Sequence, residues 1–292
     1  EEVGLKKHLV DEHLPKFGLR FFFDQGMESF DEAVEVGLSD FFPTPGYQID
    51  RGRLENHLLE TLVETGATVR TGARVCEIDL REGEEEHEIE FEDQGERERV
   101  RSRWVIDASG RAGLLKRKLD LREPVTHHVN AAWFRIGAEI CVDCWSDNPD
   151  WRSRTGKVQR RWLSTNHLLG RGYWIWIIPL PSGATSIGIV ADPNLHPLNE
   201  FNQYEKALDW IERHEPQCAA ALAPHRERMQ DFKAIKQIAH SCREVYSADR
   251  WAITGEAGVF LDPLYSPGID YIAMANTQIL SLIEHDRKGE SL

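Results

Sequence analysis

Residues 100–111 read Val-Arg-Ser-Arg-Trp-Val-Ile-Asp-Ala-Ser-Gly-Arg, and this stretch decides the fold class of the chain. Residues 100–108 predict a buried strand, and Gly110 predicts a turn into a short helix at 114–119. Upstream, apolar residues at helical spacing predict a helix at 51–64, between an N-capping aspartate and a terminating glycine. A predicted strand at 68–78 and a charged, exposed hairpin at 82–99 connect the two regions. Helices and strands in this order predict an α/β domain.

A second group of predicted strands predicts an antiparallel sheet. Its segments are residues 133–139, 158–163, 173–180 and 185–190. A Pro-Ser-Gly turn joins the last two of them. A further strand is predicted at 16–23 and a helix at 199–222, while residues 244–254 return the chain to the α/β domain.

The predicted strand at 173–180 contains the motif Trp174-x-Trp176-x-Ile178-Pro179. Alternate side chains of an extended strand share a face, so both indoles point the same way and would cover whatever lies beneath them. An ordinary core strand is the alternative interpretation, because Trp and Ile favour buried, pleated surface.

Composition and charge limit the possible partners. The 292 residues carry a net charge of −14, which disfavours a nucleic-acid partner because phosphate contacts require a basic surface. A single basic cluster either receives an acidic carrier protein or a substrate carboxylate, or forms a solvated hairpin face. It consists of Arg152, Arg154, Lys157, Arg160 and Arg161. No apolar run reaches the ~20 residues that cross a bilayer and no secretory leader is visible, so we expect no membrane span and a cytoplasmic location.

The five cysteines indicate neither disulfides nor a metal site. Their number is odd and most of them are isolated. Cys141-Val-Asp-Cys144 has the spacing of a redox motif or of half a zinc site, but no second pair completes it. We therefore expect no bound metal and attribute this spacing to chance.

Three further motifs occur in a fixed order along the chain. The first is Tyr-Gln-Ile-Asp-Arg at 47–51, directly before a predicted helix, and the second is Asp-Ala-Ser-Gly-Arg at 107–111. The third combines Gly-Glu-Ala-Gly at 255–258 with Leu-Asp-Pro-Leu-Tyr-Ser-Pro-Gly at 261–268. Together they resemble the FAD-dependent monooxygenase and geranylgeranyl reductase superfamily. With the Trp-x-Trp-x-Ile-Pro motif, the chain resembles the flavin-dependent, tryptophan halogenase-like family within it.

This resemblance implies a FAD/NAD(P)-binding Rossmann-like domain with an inserted antiparallel-sheet substrate domain. We assign residues 45–120 and 245–292 to the FAD-binding domain, and residues 1–44 and 121–244 to the substrate domain. Such a cofactor domain opens with a strand and a Gly-x-Gly-x-x-Gly turn that holds the pyrophosphate. The sequence contains no such turn, so we expect the chain to be a fragment of a longer protein.

The family's functional residues can be carried over wherever this sequence matches the family's motifs. FAD binding is implied for Gln48, Arg51, Asp107, Gly110, Gly255, Glu256, Pro263 and Gly268. Halide binding is implied for Ser266 and Gly268, and screening of the flavin for Trp174, Trp176, Ile178 and Pro179. Lys16, which precedes an aromatic strand, resembles the lysine that passes hypohalous acid to the organic substrate. A lysine suits that role because its ammonium can hydrogen-bond the oxidant or, once deprotonated, form a haloamine.

The resemblance implies a flavin-dependent halogenase that makes hypohalous acid from reduced FAD, oxygen and halide. Its substrate would be a small aromatic or electron-rich molecule, free or tethered to a carrier protein, and a separate flavin reductase would supply reduced FAD. A flavin monooxygenase or a geranylgeranyl reductase-like enzyme, which needs no halide, is an alternative, and so is a non-catalytic flavin-fold binding protein. Taken singly, Asp107 also fits a helix N-cap, and Lys16 also fits a solvated lysine at a strand end.

Three positions depart from the halogenase pattern. Tyr265 stands where halogenases that act on tryptophan carry a glutamate, which argues against free tryptophan as the substrate. Pro267 lacks a backbone N–H, the group that would hold a halide in this turn. Glu256 replaces the usual aspartate and keeps its charge on an arm longer by a methylene group.

Overall fold

The structure is a computed structural model that describes residues 4–23, 29–83, 85–156 and 160–290. Within these ranges the strands are β1 Leu14–Lys16, β2 Leu19–Phe23, β3 Val34–Gly37, β4 Gly46–Gln48, β5 Arg74–Asp79, β6 His87–Asp93, β7 Glu96–Ser102, β8 Val105–Asp107, β9 Arg122–Glu123, β10 Asn130–Ile136, β11 Thr165–Gly170, β12 Tyr173–Pro179, β13 Thr185–Ala191, β14 Met229–Ile235, β15 Ser241–Cys242, β16 Tyr246–Ser247 and β17 Trp251–Ile253. The α-helices are α1 Lys6–Glu12, α2 Arg51–Glu64, α3 Leu114–Lys118, α4 Pro149–Ser153, α5 Tyr204–His214, α6 Pro216–Leu222 and α7 Gly268–Lys288. None of the helices in the described part is long and apolar enough to span a bilayer.

The chain divides into two compact units, each built from two separate stretches of sequence. The first comprises Glu1–Leu62 and His128–Gln237, and the second comprises Val63–His127 and Ile238–Leu292. Which residues bind the cofactor and which bind the substrate remains a prediction from the motifs.

A seven-stranded sheet forms the centre of the first unit. Its strands lie in the order β14-β10-β13-β12-β11-β2-β3. Neighbouring strands are antiparallel except β11 and β2, which run parallel and pair Thr165 with Leu19 and Leu169 with Phe23. The predicted antiparallel sheet is confirmed, with a parallel strand pair that the sequence did not predict.

The hydrophobic core of the first unit lies on one face of this sheet. Ile175 and Ile177 of β12 point into it, together with Phe134 of β10 and Trp210 of α5. Because side chains alternate along a strand, the residues between the two isoleucines belong to the opposite face. The indole of Trp176 is therefore outside this core.

The second unit contains two three-stranded sheets. β5, β6 and β7 form an antiparallel meander, and its β6–β7 hairpin confirms the predicted charged hairpin. The other sheet has the order β16-β17-β8, in which β8 runs parallel to β17 and pairs Asp107 with Ile253. Leu115 and Trp251 are buried in the core of this unit.

Local signals set both ends of α2. The carboxylate of Asp50 accepts the Gly52 amide at 3.1 Å, as an N-cap does. Gly66 follows the helix with a φ of 85° and donates its amide to the Val63 carbonyl at 3.0 Å. The predicted helix at 51–64 is confirmed.

The predicted helix at 199–222 and the strand at 16–23 are each interrupted. The helix ends at His214, and α6 begins at Pro216, whose ring nitrogen has no hydrogen to continue the ladder. The strand breaks at Gly18, where a φ of 106° separates Lys16 in β1 from the aromatic residues of β2.

Two further predicted strands were wrong in part. The strand predicted at 100–108 is divided between β7 and β8, and it is not uniformly buried, since Val100 and Ile106 are exposed. In the strand predicted at 158–163, residues 160–163 form turns, and residues 158 and 159 lie outside the described part of the chain.

Candidate active site

Lys16 lines a cavity at the end of β1. β1 pairs antiparallel with β4, which places Lys16 opposite Gly46. The cavity has a volume of about 420 Å³. Its wall is formed by Val10, His13, Pro15, Lys16, Phe41, Phe42, Pro45, Gly46 and Tyr47. The cavity thus combines an amine with aromatic rings, a lining that suits a planar, electron-rich molecule.

A buried ion-pair network anchors the loop that carries Phe41 and Phe42. Arg20 donates to the Glu35 carboxylate at 2.6 Å and to the Leu38 carbonyl at 2.7 Å. Arg161 donates to both oxygens of Glu35 at 2.8 Å. The three charged side chains are at most 5% exposed. Burial lowers the pKa of Arg20, and the adjacent Glu35 carboxylate acts in the opposite direction.

His13 connects the cavity wall to the N-terminus of α2. Its Nδ1 accepts the backbone N–H of Asp50 at 3.1 Å, so a neutral ring carries its proton on Nε2. That nitrogen lies 3.3 Å from Nε2 of His8 and donates to it. Burial, followed by the charge of His8, lowers the pKa of His13. We expect a neutral imidazole beside Lys16 near pH 7.

The two tryptophans of the Trp-x-Trp motif share the face of β12 that points away from the core. Their ring centroids are 5.8 Å apart. Trp174 is buried and also contacts the His167 ring at 5.4 Å, whereas Trp176 is half-buried. Ile178 is half-buried on the same face, and Pro179 ends the strand. The arrangement predicted for the two indoles is present.

Gln48 and Arg51 are engaged within their own unit. The side-chain oxygen of Gln48 accepts from the Thr165 hydroxyl at 3.1 Å, and its nitrogen donates to the Leu163 carbonyl at 3.2 Å. Arg51 is exposed and pairs with Glu55 one turn along α2. Gln48 therefore ties β4 to the segment before β11, and only Arg51 offers a charged group to solvent.

Asp107 organises the glycine turn that follows β8. One carboxylate oxygen accepts the Ser109 amide at 2.9 Å, and the other accepts the Leu115 amide of α3 at 2.7 Å. Asp107 is 5% exposed, so its carboxylate shapes the turn and caps the helix. Gly110 has a φ of 61°, and no atom lies within 4 Å of the position of a Cβ there.

The structure brings Asp107 and Gly255 to the same sheet edge, because each lies at the end of a parallel strand. The carbonyl of Asp107 accepts the Thr254 amide at 3.0 Å. Gly255 adopts a φ of 59° and begins the single 3₁₀ turn that contains the half-buried Glu256. Ligands of open α/β sheets bind outside such carboxyl ends of strands.

Lys116 and His240 support the turn that starts at Gly255. The Lys116 ammonium donates to the Gly258 carbonyl at 2.7 Å and to Nδ1 of His240 at 3.0 Å. Burial, followed by the Lys116 charge, lowers the pKa of His240 to about 4. Burial also lowers the pKa of Lys116. No local signal in the sequence indicates this pair, because its members are 124 residues apart.

The segment from Pro263 to Gly268 leads into the N-terminus of α7. Ser266 adopts a φ of 55° and donates its own amide to the Pro263 carbonyl at 2.9 Å. Pro267 occupies the N-cap position. The groups left for an anion are the Ser266 hydroxyl and the first amides of α7, which have no acceptor within a helix. A Cβ at Gly268 would meet no atom within 4 Å, so space is open there.

The basic cluster is not a solvated hairpin face. Arg161 is fully buried against Trp151, with its guanidinium carbon 3.6 Å from the indole centroid. Arg152 is paired with Asp147. Lys157 lies outside the described residues. The buried Arg161 therefore takes no part in a docking patch, whereas Arg152 and Arg154 are exposed.

Cys141 and Cys144 are both free thiols. Burial and a hydrogen bond with Cys144 raise the pKa of Cys141 to about 12. A redox motif requires a lowered thiol pKa, so this one is poorly suited to thiolate chemistry. Among the described residues, no group of three or more His, Cys, Asp and Glu side chains is arranged to hold a metal ion.

The chain belongs to the tryptophan halogenase family, whose sequence profile matches residues 38–290. One relative is a flavin-dependent halogenase of Dictyostelium discoideum, which is 26% identical over 94% of this chain and 48% of the relative. Another is the 1H-pyrrole-2-carbonyl peptidyl-carrier-protein chlorinase of Pseudomonas fluorescens, 27% identical over 86% of this chain and 53% of the relative. The chain spans about half the length of these curated relatives.

Solved structures of halogenases share the fold. The flavin-dependent halogenase CmlS superposes with a TM-score of 0.75 at 21% identity, over 98% of this chain and 49% of that one. Halogenase PltM in complex with phloroglucinol and FAD gives a TM-score of 0.75 at 20% identity, over 98% of this chain and 57% of that one. The predicted α/β fold class, that of FAD-binding Rossmann-like halogenases, is confirmed.

Proposed function

We propose that the protein is a flavin-dependent halogenase in which Lys16 passes halogen from hypohalous acid to an aromatic or electron-rich substrate. The proposal is carried by one observation: in a chain of the halogenase family, Lys16 lines a cavity with aromatic walls. The cavity volume of about 420 Å³ lies within the range of ~300–1,000 Å³ usual for small-molecule sites.

The cavity residues have distinct roles in this proposal. The ammonium of Lys16 hydrogen-bonds hypohalous acid or, once deprotonated, carries the halogen as a haloamine. Phe41, Phe42 and Tyr47 pack against the faces of the substrate ring and orient it. The neutral His13 adds no positive charge that would raise the cost of a cationic ring intermediate.

The residues present fit FAD. When bound in its reduced form, FAD supplies the electrons that reduce oxygen to the peroxide level. Oxygen at that level oxidises halide to hypohalous acid. Gly110 leaves the backbone accessible just beyond the carboxyl end of β8, and Asp107 fixes the turn that contains it. The N-terminal amides of α7, beginning at Gly268, favour a group with negative charge. Glu256 and Pro263 belong to the same motif-derived set.

Halide binding is proposed at Ser266 and Gly268. The Ser266 hydroxyl and the Gly268 amide are the donors, because Pro267 has no N–H and the Ser266 amide already donates to Pro263. Because Pro267 removes one donor from this turn, we expect weak halide binding and product formation only at a high bromide concentration.

The experiment uses the protein with FAD, a flavin reductase, NADH and bromide. Phloroglucinol serves as the electron-rich trap, and mass spectrometry detects the bromine isotope doublet. We expect Lys16→Ala to abolish the doublet without slowing flavin oxidation. Lys7→Ala, which changes an exposed lysine paired with Asp11 on α1, should retain it. Bromination by the Lys16→Ala variant would remove Lys16 from the mechanism.

A flavin monooxygenase or reductase without halide is the second candidate, and Pro267 is the observation that favours it. In that case the trap would gain an oxygen atom or be reduced, and bromide would have no effect on the product. A full-length protein that binds no FAD, and therefore lacks the flavin absorbance bands, would instead indicate a non-catalytic flavin-fold protein.

We further propose a cytoplasmic enzyme whose substrate is held by a carrier protein and whose reduced flavin comes from a separate reductase. Two relatives are named for action on 1H-pyrrole-2-carbonyl peptidyl-carrier protein, the chlorinase described above and a brominase of Pseudoalteromonas luteoviolacea. A side-by-side assay of a free acid and its carrier thioester tests this. Equal turnover of the two would contradict carrier dependence.

A further inference from the structure

A row of aligned side chains crosses the seven-stranded sheet on the face opposite the core. The strand register aligns Val36, Phe21, His167, Trp176, Gly188, Trp133 and Lys233, taking one residue from each strand. Phe21 stacks on His167 at 4.7 Å, and Trp176 contacts Trp133 at 6.5 Å between ring centroids. With Trp174 linking His167 to Trp176, aromatic rings form a continuous band.

Gly188 is the member of this row that has no side chain. A Cβ at that position would lie 2.1 to 2.4 Å from three atoms of the Trp176 indole, closer than a real Cβ contact. The indole therefore lies flat against β13 and reaches across it toward Trp133. Its Nε1 donates to the Ser186 hydroxyl at 3.1 Å, which fixes the second edge of the ring.

We propose that Gly188 and Ser186 are positioning residues for Trp176, and that Trp133 is a third tryptophan of the flavin screen. The screening wall then extends over β12, β13 and β10, rather than consisting of the Trp-x-Trp pair alone. The inference rests on the proposed function, since a screen acts only between bound flavin and substrate. Neither Trp133 nor Gly188 belongs to the Trp-x-Trp-x-Ile-Pro motif.

The position of Trp176 can be measured without any turnover. Indoles 5.8 and 6.5 Å apart couple excitonically in the ultraviolet circular dichroism spectrum, so the spectrum reports their arrangement. We expect Gly188→Ala to abolish the coupled band, Trp133→Phe to remove the part due to that ring, and Ser186→Ala to weaken the band without a steric clash. Unchanged spectra in Gly188→Ala and Ser186→Ala would overturn the positioning role.

Gly170 provides a matched control in the same sheet. A Cβ there would lie 2.1 Å from the Tyr173 ring, so Gly170→Ala creates an equal clash with a different aromatic residue. We expect it to leave the tryptophan band intact. Equal losses of the band in Gly170→Ala and Gly188→Ala would show a general packing effect and overturn the proposal.

A double variant separates the clash from the screen. Phenylalanine lacks the outer indole ring that a Cβ at Gly188 would meet, so Trp176→Phe with Gly188→Ala should recover the thermal stability lost by Gly188→Ala. In the full-length, FAD-loaded protein we expect a several-fold higher ratio of released peroxide to halogenated product for Gly188→Ala and Trp133→Phe, and no change for Gly170→Ala. An unchanged ratio in a variant whose band is lost would refute the screening role. If the wild-type protein halogenates nothing, the proposed function fails, while the spectra still decide the positioning role.

Discussion

Glu35→Gln should destabilise the first unit strongly, because Glu35 is the carboxylate shared by two buried guanidinium groups. Arg20 and Arg161 together donate three hydrogen bonds of 2.6 to 2.8 Å to it. Glutamine keeps one acceptor oxygen but removes the charge, and it leaves two cations inside the unit. Breaking a buried ion pair in this way costs ~3–5 kcal/mol, which corresponds to a decrease in melting temperature of roughly 6–20 °C.

Urea unfolding followed by circular dichroism measures this loss, and an exposed pair provides the control. Glu55→Gln removes the partner of Arg51 on α2, where both side chains are more than half exposed. That variant should lose less than about 1 kcal/mol, since water and salt screen the pair. If Glu35→Gln costs no more than Glu55→Gln, the buried network does not contribute to stability as its geometry requires.

Three other outcomes follow from single side chains. The pKa of His240 is 6.5 in the unfolded chain and about 4 in the folded chain, so the unfolded chain binds the proton more readily. The free energy of unfolding therefore falls as the pH drops between these values. His240→Gln should remove that part of the pH dependence in urea titrations, and an unchanged slope would contradict the lowered pKa. Asp107→Ala should cost about 2 kcal/mol in the same assay and speed hydrogen exchange at the start of α3; a neutral result would mean that the cap is dispensable. Iodoacetamide should label Cys144 before Cys141, whose raised pKa leaves little thiolate, and equal rates read by mass spectrometry would refute this.

The features that were predictable from sequence depend on neighbours along the chain. The helix at 51–64 could be placed because Asp50 caps it and Gly66 ends it, and both signals act within one turn. The shared face of Trp174 and Trp176 follows from strand alternation alone. These are short-range rules, and the structure obeys them.

The features that were not predictable from sequence depend on residues that are far apart in the chain. From the sequence alone, Arg161 is expected at the surface. It is buried because it pairs with Glu35, which is 126 residues away in the chain. Phe41 and Phe42 are adjacent aromatic residues, which is a usable signal in the sequence, but only the tertiary structure shows that they line the cavity of Lys16. No local sequence signal marks Gly188, because the need for glycine there comes from the Trp176 indole on the neighbouring strand.

The parallel pairing of β2 with β11 has a consequence for the order of folding. It joins residues such as Arg20 and His167, which are 147 positions apart, with the stretch Val63–His127 of the second unit between them. Closing so long a loop is entropically costly, and contacts of such high order form slowly. During synthesis, β2 can pair with β11 only after Thr165 and the residues that follow it have left the ribosome. The seven-stranded sheet is therefore completed late, and recovery of the β2–β11 pairing should lag behind the local hairpins during refolding.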